Sequence, residues 1–374
     1  MSITPHKSFT KMRSLSNTLL GILTLPVAIR AAPLRPRQTS RADYISNANA
    51  ATKVLGDKWF HAETGLWDDL WWQSANALTS MSDLAIVDPT FKDTAISIFE
   101  NVYTNAPANN PTNAGSWLND FYDDEGWWAI AFIKAYDVTG NDTYLSTAKD
   151  MFEDLLTGLN ATCGGQWWDK PHSQNNAINN ELFIHVAAAL GNRVTDNQHY
   201  YCQYAEDHAD WFLNAGLLSE NNTFHDGFTL SDCSMEGTVF SYNQGVILSA
   251  LVELSALTGN SSWLDTATKV ADGAVKTLVD SNGIFTEIGS YPTNDLVADQ
   301  FKGVFARGLA DLQKARGDDS YVTLLTKSAD SIWQNDKDEN GFLGPDWQGP
   351  VYNTSAPAQS SALDCLIAAA AVSS

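Results

Sequence analysis

The sequence is short of positive charge. Its 374 residues carry 22 Lys and Arg against 44 Asp and Glu, a formal net charge of −22. A phosphate backbone or an anionic membrane surface would repel such a chain, so no nucleic-acid or membrane partner is expected. An uncharged polymer such as a polysaccharide would not be repelled. Long apolar runs are also missing. Past the N-terminal segment no stretch of about 18 apolar residues occurs, which excludes a membrane-spanning helix of ordinary length. The C-terminal residues lack the polar spacer and apolar tail of a lipid-anchor signal.

Other absences narrow the chemistry. There is no Gly-x-Ser-x-Gly elbow and no phosphate-binding glycine loop. The seven His have no metal-ligand spacing, and the four Cys (Cys163, Cys202, Cys233 and Cys365) fit no zinc pattern. The run Asp336-Lys-Asp-Glu-Asn-Gly341 imitates the first half of a calcium loop. Position twelve would be Trp347 instead of the bidentate Glu such loops need, so a solvated turn is expected there. No metal and no cofactor is anticipated. Strand-like alternation is scarce as well, which leaves helices to form the fold.

The N-terminus reads as a secretory signal over residues 1–32. Lys7, Lys11 and Arg13 precede an apolar stretch, and small residues follow at Ala31 and Ala32. A short flexible stub over residues 33–41 would remain, followed by one catalytic domain over 42–374. Five Asn-x-Ser/Thr triplets, at Asn141, Asn160, Asn221, Asn260 and Asn353, suit a secreted, extracellular glycoprotein. A monomer is expected.

One local pattern recurs. Gly140-Asn-Asp-Thr-Tyr-Leu145, Gly259-Asn-Ser-Ser-Trp-Leu264 and Gly317-Asp-Asp-Ser-Tyr-Val322 share a Gly, a polar cluster, an aromatic and an aliphatic residue. Looser copies put an aromatic at Tyr44, Phe91 and Tyr200. Repeats of about 50 to 60 residues mark supersecondary units. The Gly ends one helix in the left-handed conformation, and the polar cluster caps the next. After each cap the apolar spacing is one-sided, as in Trp263, Leu264, Ala267, Val270, Ala271, Ala274 and Leu278. Between these outer helices lie segments apolar nearly all round, such as residues 182–190 and 246–252, which must be inner helices. His185, inside one of them, is a core histidine on this reading. Six outer–inner pairs predict an all-α fold, an (α/α)6 toroid of twelve helices.

In such a toroid the six loops entering the inner helices meet on one rim. They carry Trp, Asn, Asp and Gly in unusual density, which suits a sugar with apolar faces and polar edges. Cys163 and Cys233 both lie in loops feeding consecutive inner helices, so of the three full pairings a Cys163–Cys233 bridge is favoured, with Cys202 and Cys365 far apart. At the second inner helix stand Asp123, Asp124 and Glu125, more acids than capping requires. Retaining glycoside hydrolysis needs two carboxyl groups about 5 Å apart with separated pKa values. The helix N-terminus favours an ionised nucleophile, while burial and the neighbouring charge keep the partner protonated.

This stretch resembles glycoside hydrolase family 76, the endo-α-1,6-mannanases, in a fungal-type secreted form. The likeness rests on Trp117-Leu-Asn-Asp-Phe-Tyr-Asp-Asp-Glu-Gly-Trp-Trp128, Cys163-Gly-Gly-Gln-Trp-Trp168, Asn176-Ala-Ile-Asn-Asn-Glu-Leu-Phe183, Tyr242-Asn-Gln-Gly-Val-Ile-Leu248 and Gln300-Phe-Lys-Gly-Val-Phe305. The resemblance implies retaining, endo-acting cleavage of α-1,6-mannan or mannooligosaccharides, with Asp123 as nucleophile and Asp124 as acid/base. Some fungal members of that family are cell-wall transglycosylases, so transfer is one alternative, and a non-catalytic mannan-binding protein is another. Asp68, Trp168, Asn176, Tyr242, Asn243 and Asp299 lie near inner-helix entrances and are expected to bind substrate. Glu125 is expected to hold a neighbouring loop.

Overall fold

A computed structural model describes residues 39–287 and 295–374. The proposed signal segment and most of the stub lie outside the described residues. The first helix starts earlier than the stub implied. Ser40 caps it through the side chain of Asp43, so residues 40 and 41 belong to α1 and its cap.

Among the described residues twelve α-helices alternate in position. The outer ones are α1 (Arg41–Trp59), α3 (Lys92–Asn105), α5 (Asp142–Leu155), α7 (Gln198–Asn214), α9 (Ser262–Leu278) and α11 (Val322–Asn335). The inner ones are α2 (Trp71–Val87), α4 (Tyr122–Thr139), α6 (Ala177–Arg193), α8 (Ser241–Thr258), α10 (Phe301–Arg316) and α12 (Ala356–Val372). Each inner helix packs on the next, and α12 packs on α2, which closes the ring. The outer helices fill the grooves between inner ones. Residues Thr39–Ser374 thus make one compact unit.

Local chemistry explains the helix boundaries. Gly140, Gly259 and Gly317 end α4, α8 and α10 with φ near +69°, and each donates its N–H to the last turn. Asn141 Oδ1 then accepts from Thr143 N at 3.1 Å, Asn260 Oδ1 from Ser262 N at 3.0 Å and Asp318 Oδ1 from Ser320 N at 3.0 Å. The inner helices are buried on nearly all sides; in α12 every residue from Ala356 to Ala370 is buried. Two glycines permit one close contact. A Cβ on Gly308 would lie 2.1 Å from the Gly245 carbonyl oxygen, so α8 and α10 meet backbone to backbone.

Along the inner helices, opposite charges are paired. Lys134 lies 2.9 Å from Asp83, Arg307 2.7 Å from Asp364, and Arg193 2.6 Å from Asp137. His185 is buried on α6, and that burial depresses its pKa to about 4, so the ring is neutral.

At one rim, short antiparallel bridges stitch the entrance loops together. Phe121 pairs with Asp169, and Asn176 with Gly227, so the entrances of α4, α6 and α8 are tied edge to edge. Two small hairpins join them: β1 (Phe60–His61) with β2 (Leu66–Trp67), and β3 (Gly227–Thr229) with β4 (Ser234–Glu236). Cys163 and Cys233 form a disulfide with Cα atoms 5.4 Å apart, linking the α6 and α8 entrances. Cys202 and Cys365 are free, Cys365 being fully buried.

Candidate active site

Helix α4 begins without a side-chain cap. Its first turn carries Asp123, Asp124 and Glu125, and the three diverge. Glu125 turns into the protein, where its Oε1 accepts from Asn119 N at 3.0 Å and from Lys170 Nζ at 3.0 Å. Burial pushes its pKa up to about 9, with Asp154 adding to the rise. Glu125 therefore anchors the entrance loop and points away from Asp123 and Asp124.

Asp123 and Asp124 are both half-buried. Trp168 Nε1–H donates to Asp123 Oδ2 at 2.9 Å, and Asp124 N–H donates to Asp123 Oδ1 at 3.0 Å. Asn119 Nδ2–H donates to Asp124 Oδ2 at 2.7 Å. Desolvation raises both carboxyls. For Asp123 the rise ends at about 6, because the indole and backbone donors favour its anion. Asp124 is raised well above its ordinary value: burial acts on it together with the charge of Asp123, and the Asn119 amide opposes them. Two carboxyl groups with differently perturbed proton affinities stand side by side at a helix N-terminus.

A third acid, Asp226, completes the charge pattern. It lies in the loop before β3, and its charge raises the pKa of Asp123. Asn243 Nδ2–H donates to Asp226 Oδ1 at 3.3 Å, and the Tyr242 hydroxyl reaches the same oxygen at 3.5 Å. An aromatic row runs across the entrances of α2, α4, α8 and α10. Tyr242 stacks on Phe301 with ring centroids 3.9 Å apart and planes 5° apart, Phe301 meets Trp72 at 6.4 Å, and Trp72 stacks on Trp127 at 5.8 Å.

The model of a known family, described as glycosyl hydrolase family 76, matches residues 47–373. The chain belongs to this family. Mannan endo-1,6-alpha-mannosidase DCW1 of Candida albicans is 26% identical over 65% of this chain and 58% of its own length, so the family 76 chain spans less than two thirds of that curated relative. The structure of the Lin0763 protein from Listeria innocua superposes with a TM-score of 0.76 at 26% identity, covering 87% of this chain and 97% of that one. An inactive variant of the α-1,6-mannanase GH76A of Salegentibacter sp. HEL1_6 was solved in complex with α-1,6-mannotriose. Two consecutive aspartates are replaced by asparagine in it. It shares the fold with a TM-score of 0.75 at 20% identity, over 88% of this chain and 99% of that one.

Within the family 76 fold, the six residues expected to bind substrate have different surroundings. Trp168 is directly bonded to Asp123 and touches Phe121 at 4.9 Å. Tyr242 and Asn243 act on Asp226; Asn243 is fully buried, and its Oδ1 has no hydrogen-bond partner among the described residues. Asn176, half-buried at the start of α6, is held by Gln174 and Asn179 and sits beside Gly227. Asp299 is buried and accepts from the Ser355 hydroxyl at 2.8 Å, which ties the α10 entrance to the cap of α12. Burial lifts its pKa to about 6. Asp68 is exposed in the turn before α2 with φ of +54°, and its side chain makes no hydrogen bond among the described residues.

Sequence reasoning missed Asp226, Trp72 and Glu181. Glu181, on α6, is 0% exposed, and neither carboxyl oxygen has a hydrogen-bond partner among the described residues. Burial, with the charge of Asp226 contributing, raises its pKa well above its ordinary value. The solvated turn expected at Asp336 needs correction. Asp338 Oδ1 does accept from Asn340 N and Phe342 N, forming the turn, but Asp336 itself is fully buried. Its carboxyl oxygens are unpartnered among the described residues, and burial lifts its pKa to about 8.

Proposed function

We propose that this chain is a retaining, endo-acting glycoside hydrolase that cleaves α-1,6-mannosidic bonds in mannan, with Asp123 as nucleophile and Asp124 as acid/base. The observation that carries this reading is the split pair: adjacent carboxyl groups, one accepting an indole N–H that favours its anion, the other pushed toward its acid form by burial and its neighbour's charge. Two further facts support the substrate class. The curated relative carries the name mannan endo-1,6-alpha-mannosidase, and the Salegentibacter mannanase variant was solved with α-1,6-mannotriose.

The chemistry follows from the two environments. Asp123 attacks the anomeric carbon from the face opposite the leaving group as Asp124 gives its proton to the glycosidic oxygen, and the C1–O bond breaks. Asp124, now a carboxylate, takes a proton from water, and the hydroxyl displaces Asp123 with a second inversion. The aromatic row supplies faces for the C–H side of the sugars. Neither step calls on a metal ion. Secretion as a monomer belongs to the same proposal; among the described residues no helix is long and apolar enough to cross a membrane.

The test uses Asp123→Ala and Asp124→Ala on unbranched α-1,6-mannooligosaccharides. Each variant is expected to lose at least about 10²- to 10⁴-fold in rate, the usual scale of such groups, with the helical circular dichroism unchanged. Azide should rescue Asp123→Ala as a β-mannosyl azide. Near-normal cleavage by both variants would refute the assignment. Elongated products from the unaltered protein would instead favour transfer.

A further inference from the structure

Far from the carboxylate pair in sequence, the loop after α5 presents an unassigned feature. The triplet Asn160-Ala-Thr162 sits at its start. Asn160 and Thr162 are exposed, and Asn160 has a left-handed backbone with φ of +67°. Asn160 stands in the turn closed where Leu159 bridges to Gln166. Beside it lies a cavity of about 270 Å³ that Asn160 itself lines.

The cavity's other wall is one face of α7. Tyr204, Asp207, His208 and Trp211 stand three and four residues apart and all line it, so they project to the same side of the helix. The facing loop is Gly164-Gly165. A Cβ on Gly165 would fall 2.2 Å from the Trp211 ring and one on Gly164 2.5 Å, so only glycine lets the indole lie along this backbone. His208 is fixed by Nε2 on Asn180 Oδ1 at 2.8 Å. Tyr204 and Trp211 are half-buried, which leaves part of each ring for a ligand, and Asp207 is an exposed acceptor at the edge. Drug-sized sites measure roughly 300–1,000 Å³, so this space suits about one sugar ring. Aromatic faces, a carboxylate and backbone groups are what a hexose or N-acetylhexosamine needs.

We propose that Asn160 carries an N-linked glycan whose first N-acetylglucosamine packs into this cavity against Trp211 and Tyr204. The modification joins Asn160 Nδ2 to the anomeric carbon of an oligosaccharide carried on a lipid pyrophosphate. The C1–O bond to the pyrophosphate breaks, one amide hydrogen leaves as a proton, and the lipid pyrophosphate departs. The sugar then covers rings that would otherwise face water and braces the α5–α6 loop, which also holds Trp168 and Cys163. Asn141, whose side chain caps α5, and Asn260, whose side chain accepts from Ser262 N, serve as comparison sites.

The experiment expresses the full chain in a eukaryotic secretory host and maps glycopeptides of the secreted protein by mass spectrometry. Asn160 should be occupied, and Asn160→Gln should remove that mass. Peptide:N-glycosidase acting on the native protein should release the Asn160 glycan at least tenfold more slowly than in Trp211→Ala. After denaturation the two rates should match. If Trp211→Ala is not secreted, Tyr204→Ala makes the same comparison. An unmodified Asn160 in secreted protein, or equal native release rates with and without the aromatic face, overturns the proposal.

Discussion

Replacing Trp168 by Phe isolates one hydrogen bond on the nucleophile. Phe keeps a ring against Phe121 but removes the N–H that donates to Asp123 Oδ2 at 2.9 Å. A hydrogen bond to a charged group contributes about 1.5–3 kcal/mol. It favours only the ionised form of Asp123, and one pH unit corresponds to about 1.36 kcal/mol, so its loss raises the Asp123 pKa by about one to two pH units. The starting value is about 6. Asp123 must be ionised to attack, so the acid limb of kcat/KM should move from near pH 6 to higher pH, and activity at pH 5 should fall by a further tenfold or more. The assay is a pH–rate profile on an α-1,6-mannooligosaccharide across pH 4–9. If Trp168 only stacks on sugar, KM will rise and the limb will stay where it was. A fixed or lowered limb would refute the reasoning.

Two other substitutions test single carboxyl groups. Asp226→Asn removes a negative charge that raises the Asp123 pKa, so the acid limb should shift to lower pH in the same assay. Asp336 has a folded pKa of about 8 against about 4 unfolded, so the folded state binds the extra proton between those values and stability falls as pH rises through that window. Asp336→Asn should therefore raise the melting temperature at pH 8 by several degrees, on the order of 1–3 kcal/mol, and change it little at pH 4; an equal change at both would contradict a buried, protonated Asp336.

The helical frame was legible because its signals are local. Gly140, Gly259 and Gly317, each followed by a polar side chain that closes the next turn, mark where one helix ends and the next begins, and the one-sided stripe of α9 separates it from the all-apolar α8 and α12. Closure into a ring followed from six repeats of the same pair. The carboxylate pair was legible because three acids at one helix start exceed what a cap needs, and Glu125 departs from the other two as expected. Asp226 was not legible. It is an ordinary loop aspartate in sequence, and only closure of the ring brings it to Asp123. For the same reason Tyr242 and Asn243 were found without their partner: both were assigned to sugar, and both reach Asp226. Glu181 hides in a motif that reads as core. Asp336 was misjudged because turn chemistry tells which backbone groups Asp338 satisfies, but not that the preceding acid points inward.

The central claim is a double displacement through Asp123, and the anomeric configuration of the first product tests it directly. Proton NMR recorded within the first minutes of hydrolysis of a reduced or unbranched α-1,6-mannan should show the α-anomer at the new reducing end, appearing before mutarotation yields the β-form. A β-anomer formed first would mean a single displacement by water, and neither Asp123 as nucleophile nor the division of roles between the two aspartates would stand.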